Sequence, residues 1–178
     1  MNLELLKRSP NKDFARCLYN VSFPDNQRRE FNLIENLTKK DNFDFFIILN
    51  PSVNNNPIGI ISLWYLSEYI FIEHFAIDTN NRSKGYGSKV LQELIDNVKI
   101  PIILEVEPIG DIISKKRIRF YENLNFKLLD YPYFQPSYVS GKESIEMNLM
   151  LHDSKLLDKK PLKEIITEIH SVVYGYKI

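Results

Sequence analysis

The chain has 178 residues, and its 23 Lys and Arg are matched by 23 Asp and Glu. That length suits one domain with a real core, and 44% apolar with 26% charged residues is ordinary for a globular protein. Zero net charge gives no support to direct nucleic-acid binding or to attachment at an anionic membrane, so any anion site must be local.

The N-terminus, MNLELLKRSP, carries Glu4 and lacks a signal-peptide layout. No stretch approaches the roughly 20 apolar residues that span a bilayer, and a cytoplasmic location is expected. The first third reads as helical up to about Lys40, broken at Ser22–Asn26, where Pro24 suits a helix interior poorly. Cys17, the single cysteine, excludes an intramolecular disulfide and a CxxC-type zinc site. Its neighbours Phe14, Leu18 and Val21 place it on an expected buried face, as an inert thiol. Phe31, Ile34 and Leu37 recur at helical spacing. FDFFIILN (Phe43–Asn50) then reads as a strand, ended by the turn-rich PSVNNNPIG. IGIISLWY and YIFIEHFAI follow as two more strands around a short link at Ser67–Glu68, an antiparallel meander.

Next comes NRSKGYGSKV (Asn81–Val90). Val90, Leu91, Leu94, Ile95 and Val98 after it mark a helix with one buried face. PIILEVEP (Pro101–Pro108) is a strand, apolar enough to be central, and the strand–helix–strand passage implies a parallel crossover. A helix over about Ser114–Asn123 and the strands FKLLDY and SIEMNLML follow. Apolar residues at 162, 165, 166, 169, 172 and 173 make the tail an amphipathic helix. The expected class is α/β of the α+β type, with a mixed sheet. Residues 1–153 form the expected domain and 154–178 an extension packed on it or on a partner subunit.

At the junction of strand and helix, Gly85 and Gly87 remove Cβ atoms, so a ligand can approach the backbone and positive φ is allowed. Arg82 and Lys84 add local charge beside the unpaired amides of a helix start. The spacing fits neither a Walker loop nor a dinucleotide fingerprint. A phosphate cradle and an ordinary helix start with solvated charges both remain open on these residues alone.

Arg82-x-x-Gly85-x-Gly87 resembles the acetyl-CoA signature Arg/Gln-x-x-Gly-x-Gly/Ala of the GNAT superfamily, the GCN5-related N-acetyltransferases. FIEHFAID before it looks like that family's central strand, and RFYENLNF (Arg119–Phe126) is similar to its Phe-Tyr-x-x-x-Gly-Phe ending. The order of elements also matches, over roughly Leu3 to Leu151. The resemblance implies a mostly antiparallel sheet flanked by helices, with acetyl-CoA as cosubstrate. Its pyrophosphate would lie on the backbone of Arg82, Ser83, Lys84, Gly85, Tyr86, Gly87 and Ser88. Its pantetheine arm would pair with the main chain of Phe75, Ala76 and Ile77, which would also supply an amide for the oxyanion. Two positions depart from the pattern. Asn125 replaces a usual glycine, and Asn tolerates the left-handed conformation. Ser114 stands where many relatives carry an asparagine that contacts pantetheine.

Amide formation from a thioester needs a neutral amine and a proton for the departing thiolate. Glu73, inside an apolar strand, is costly unless paired or functional. It is the candidate base, against a solvent-facing glutamate or one paired with a nearby Lys or Arg. Tyr121 shares an i, i+3, i+6 seam with Ile118 and Leu124, which alone means a core tyrosine; the resemblance makes it the candidate acid. Glu105 and Glu107 share a strand face and would attract a cationic amine or serve as solvated charges. Tyr133 lies in YPYFQPSYVSG (Tyr131–Gly141), the expected acceptor wall. His74 is expected to be structural, and no His spacing suggests a metal site.

The reading is an acyl-CoA-dependent N-acetyltransferase acting by direct attack on a primary amine of a small molecule or protein, as monomer or homodimer. A non-catalytic CoA-binding sensor or scaffold of the same fold is the alternative. An RNA-associated factor using RSK and KKRIR (Lys115–Arg119) is a further one, which zero net charge disfavours.

Overall fold

A computed structural model describes residues 1–139 and 141–176. Ser140, within the expected acceptor wall, and Lys177 and Ile178, at the end of the extension, lie outside the described residues. Two compact units emerge: Met1–Trp64 with Ile72–Val98, and Tyr65–Phe71 with the chain from Lys99 onward.

The first unit opens with a strand, not a helix. β1 (Asn2–Leu5) pairs antiparallel with β2 (Phe43–Asn50). NLEL is too short for a helical period to show, and its strand state is fixed by a partner some 40 residues away, a tertiary contact that local pattern does not encode. α1 (Lys12–Ser22) and α2 (Phe31–Leu37) flank the Pro24 break. Tyr19 and Phe31 meet the Phe45 ring of β2 edge-on, so both helices lean on that strand. Cys17 is exposed, and Val21 is 81% exposed, contrary to the expected buried face. The buried residues of α1 are Ala15, Leu18 and Tyr19; Cys17 falls between the positions that 3.6-residue periodicity turns inward.

β2 pairs antiparallel with β3 (Asn56–Tyr65), with a bulge at Ile48/Leu49. β4 (Ile70–Ile77) neighbours β3. The Asp78 amide, just past the end of β4, donates to the Ile58 carbonyl near the start of β3 at 2.9 Å; the two strands therefore run antiparallel. Gly59 makes this pairing possible. A Cβ there would sit 2.7 Å from the Ala76 carbonyl oxygen and 2.8 Å from Ile77 Cδ1. α3 (Tyr86–Val98) buries Val90, Leu91 and Leu94, as its spacing implies.

In the second unit, β5 (Ile102–Val106) and β8 (Ile145–His152) pair antiparallel. β6 (Phe126–Leu128) and the short β7 (Tyr133–Gln135) also pair antiparallel with β8. β7 lies inside the expected acceptor wall, where turn residues hide three strand positions. α4 (Ile112–Glu122) is closed by a capping box: Asp111 accepts from the Ser114 amide at 2.7 Å, and Ser114 Oγ accepts from the Asp111 amide at 3.0 Å. The Ser114 hydroxyl is thus engaged in capping the start of the helix. Asn125 takes φ 64°, so asparagine serves where glycine is usual.

The tail forms α5 (Leu156–Lys159) and α6 (Leu162–Glu168), which continues as a wider turn over Ile169–Val173. Ile165, Ile169 and Val173 are buried. Tyr69 donates to the Ile165 carbonyl at 3.1 Å, and Glu168 accepts from the Ser67 amide at 2.8 Å and pairs with Lys160. Three of the six stripe residues are therefore buried within the chain, and Leu162, Ile166 and Val172 are half-buried. The fold class is the expected one, mixed α/β with mostly antiparallel strands. Among the described residues, no helix is long and apolar enough to cross a membrane.

Candidate active site

The loop between β4 and α3 is built residue by residue for its shape. A single tight turn, Thr79–Asn81, is opened by Asp78, whose carboxylate accepts from the Asn80 amide at 3.0 Å. Arg82 folds back, Nε donating to the Ile77 carbonyl at 2.9 Å, which commits part of its guanidinium to holding the loop. Ser83 and Gly85 take φ of 59° and 78°. Left-handed residues on both sides of Lys84 are the kind of backbone turn from which anion-binding concavities are made. A Cβ on Gly85 would meet nothing within 4 Å; the space beside the loop is open. The first backbone bond of α3 runs from the Lys89 amide to the Gly85 carbonyl at 3.0 Å. Ahead of it, the amides of Tyr86, Gly87 and Ser88 make no hydrogen bond among the described residues. Tyr86 itself is tethered, its hydroxyl accepting from Asn50 Nδ2 at 3.0 Å. Open space, left-handed turns and unpaired amides fit an oligophosphate.

Upstream, in β4, Ala76 is buried while Phe75 and Ile77 are half-buried. Glu73 has a fully buried side chain. Its Oε1 pairs with the Arg29 guanidinium, and its Oε2 accepts from Trp64 Nε1 at 2.8 Å. Arg29 also lies over the Trp64 ring, 5.9 Å from its centroid. Glu73, the candidate base from sequence, is thus paired with an arginine, one of the environments weighed beside that role. The partners come from α2's approach and from β3, so no local spacing announces them. An ion pair of this kind offsets the cost of burying charge.

His74 is structural. Its Nε2 faces the Gln27 carbonyl at 3.2 Å and Nδ1 faces Ser62 Oγ at 3.4 Å. Burial pushes its pKa below the ordinary 6.5, outweighing the adjacent Glu73 carboxylate. A depressed folded pKa gives stability that is complete above pH 6.5 and is lost as pH falls. His170 shifts in the same direction, also through burial. The urea midpoint is therefore expected to drop between about pH 6.5 and 5, before carboxylates titrate. A His74→Gln variant should show a shallower slope over that window; an unchanged slope would remove His74 from the account.

In the second unit, Tyr121 is 7% exposed, beside Ile118 and Leu124 at 4% and 6%, so the seam is present. Its ring packs against Phe120 and Phe126, and its hydroxyl makes no hydrogen bond among the described residues. Burial pushes the phenol up to about 12, with Arg117 pulling the other way. Glu107 pairs with Arg117, whereas Glu105 accepts hydrogen bonds from the Tyr133 and Tyr174 hydroxyls. Glu105 and Tyr133, named separately from sequence, are thus direct partners. Tyr174 and Gln135 belong to the same cluster and were missed, because one lies in the tail and the other in a turn-rich segment.

A cleft of about 640 Å³ in the first unit, lined by Lys7, Lys12, Lys39, Lys40, Asp41 and Asp44 among others, holds none of these residues. Its mixed charges give it no preference for an anion.

The sequence pattern of the acetyltransferase (GNAT) family matches residues 8–126. No curated protein sequence matches the chain. Among solved structures, a GNAT-family protein from Bacteroides thetaiotaomicron is 32% identical with a TM-score of 0.88, over 99% of this chain and 100% of that one. The likeness therefore includes the tail. A spermidine N-acetyltransferase from Vibrio cholerae, in complex with CoA and spermine, is 17% identical with a TM-score of 0.63, over 85% and 94%. At that identity the likeness concerns the fold alone. With the family pattern spanning residues 8–126 and a 32% identical relative matched over the full length, the chain belongs to the GNAT acetyltransferase family.

Proposed function

We propose that the chain transfers an acetyl group from acetyl-CoA to a primary amine of a small molecule or protein by direct attack. The observation that carries this is the Asn81–Ser88 loop, with left-handed Ser83 and Gly85, open space at Gly85 and unpaired amides opening α3. Those amides would hold the pyrophosphate, with Lys84 adding charge. Acetyl-CoA supplies an acyl thioester with a thiol leaving group. The main chain of Phe75, Ala76 and Ile77 would align the pantetheine arm and donate to the carbonyl oxygen as it gains charge.

Tyr121 is assigned to the departing sulfur. A phenol at about 12 is a weaker acid than the ~10 of a solvated one. Full transfer to a thiolate of pKa ~8.5 would be uphill by about 5 kcal/mol. The hydroxyl therefore donates a hydrogen bond to the developing thiolate and stays protonated at neutral pH, and the proton that the thiol takes up as the C–S bond breaks is the one the attacking nitrogen loses as the amide forms.

Glu73 is proposed to position Arg29 and Trp64, and the attacking amine is proposed to reach the site already neutral. Glu73→Gln then lowers kcat/KM by a similar factor, roughly 10-fold, at every pH, while CoA affinity holds. Recovery of the variant as pH approaches the pKa of the amine would instead make Glu73 the base. Mass spectrometry of a primary-amine panel incubated with the protein and acetyl-CoA tests the function itself. N-acetylated product in an amine-dependent amount is expected; its absence across the panel would refute transfer to amines.

A further inference from the structure

The three unpaired amides at the start of α3 keep one pose only if the turn that carries them is fixed. Upstream the loop is held twice: Asp78 accepts from the Asn80 amide, and Arg82 Nε donates to the Ile77 carbonyl. Beyond Arg82 the chain passes through Ser83 and Gly85, both left-handed. Gly85 has open space beside it and no side chain to anchor it. The next anchor along the chain is the Tyr86 side chain.

Asn50, the last residue of β2, is 4% exposed. Its Oδ1 accepts from the Ser52 amide at 3.1 Å, and its Nδ2 donates to the Tyr86 hydroxyl at 3.0 Å. A main-chain N–H can only donate, so Ser52 decides which end of the Asn50 amide is the oxygen, and the NH2 group is left facing Tyr86. Among the described residues, Asn50 is the one hydrogen-bond partner of the Tyr86 hydroxyl. The segment after β2 is held in its own right. Pro51–Val53 form a tight turn, and Asn2 of β1 donates to Asn55 Oδ1 at 3.0 Å. A buried amide on a paired strand thus anchors the residue whose main-chain N–H is the first of the three unpaired ones. All of these residues lie in the first unit.

We propose that Asn50 is a positioning residue for the cofactor: through Tyr86 it holds the amides of Tyr86, Gly87 and Ser88 in the pose that receives the pyrophosphate of CoA. Asn50 acts by preorganisation and not by touching the ligand. A turn that is ordered before the ligand arrives relieves the binding step of the entropy of ordering it. This rests on the reading of the Asn81–Ser88 loop as the CoA site.

Calorimetry of CoA binding to the full chain compares wild type with Tyr86→Phe, Asn50→Leu, the double variant and Gly87→Val, each checked for folding by thermal unfolding. Tyr86→Phe and Asn50→Leu are each expected to weaken CoA about 5- to 10-fold, the scale of one hydrogen bond. The double variant should lose no more than the weaker-binding single one, because both changes remove the same bond. Hydrogen exchange in the free protein supplies a readout that a general loss of stability would not. In Tyr86→Phe the Lys89 amide, which makes the first backbone bond of α3 to Gly85, should exchange faster, while the β5–β8 ladder keeps its wild-type rates. Unchanged CoA affinity in Tyr86→Phe overturns the proposal, as does a double loss equal to the product of the single losses, or faster exchange throughout the chain. Tyr86→Phe decides alone if Asn50→Leu fails to fold. Weak binding confined to Gly87→Val would keep the loop as the CoA site and refute only the role of Asn50. Normal binding in Gly87→Val, or none in wild type, would refute the loop reading and the proposal with it.

Discussion

Gly87→Val is expected to weaken CoA binding by about 10²-fold or more while the protein stays folded. Gly87 is inside the first turn of α3 and has no positive φ, so a side chain is compatible with its backbone. Valine is in fact a better helix residue than glycine by a few tenths of a kcal/mol. What the substitution takes away is space: a branched Cβ beside the amides of Tyr86, Gly87 and Ser88 occupies the volume a pyrophosphate would need. Gly85 is a poorer site for this test, because φ 78° strains any L side chain and would mix a folding cost with lost binding. Charge reversal at Arg82 should cost less than Gly87→Val, since its Nε is already used on the Ile77 carbonyl. Calorimetry on folded wild type and variant reads the effect; equal affinities would remove the loop from cofactor binding.

Tyr121→Phe is expected to lower kcat roughly 10²-fold, the scale typical of a positioned donor in the transition state. The ring that packs on Phe120 and Phe126 is retained, so stability should change little. The pKa near 12 adds a second signature: wild-type kcat should show no fall from tyrosine ionisation across the accessible alkaline range. An acyl donor whose thiol has a lower pKa needs less help on leaving and should narrow the gap between variant and wild type. Near-normal turnover would return Tyr121 to the core seam with Ile118 and Leu124. An equal loss with good and poor leaving groups would mean that the hydroxyl positions the donor.

What the sequence made legible follows from where each signal resides. Strand β2 and helix α3 carry their own pattern, a run of buried apolar residues in one and a 3.6-residue stripe in the other, and they emerge with the expected buried faces. The loop shape also shows locally, because glycine spacing encodes backbone freedom. β1 does not, since four residues gain strand identity only from pairing with β2. The environment of Glu73 is non-local in the same sense: Arg29 is 44 positions away, and the pairing that engages the carboxylate depends on the fold. Glu105 and Tyr133 could be named one at a time, but their union with Tyr174 and Gln135 spans up to 69 positions. Backbone shape is legible from sequence here; side-chain partnerships are not.

Thiol release from acetyl-CoA by the purified full chain, measured with and without each primary amine of a panel, tests the central claim most directly. Release that rises with amine concentration, saturates, and is abolished by Gly87→Val is the predicted result. Release no faster than that in buffer alone with every amine, from protein that nonetheless binds CoA in calorimetry, would contradict the account and make the chain a CoA-binding module without transfer activity.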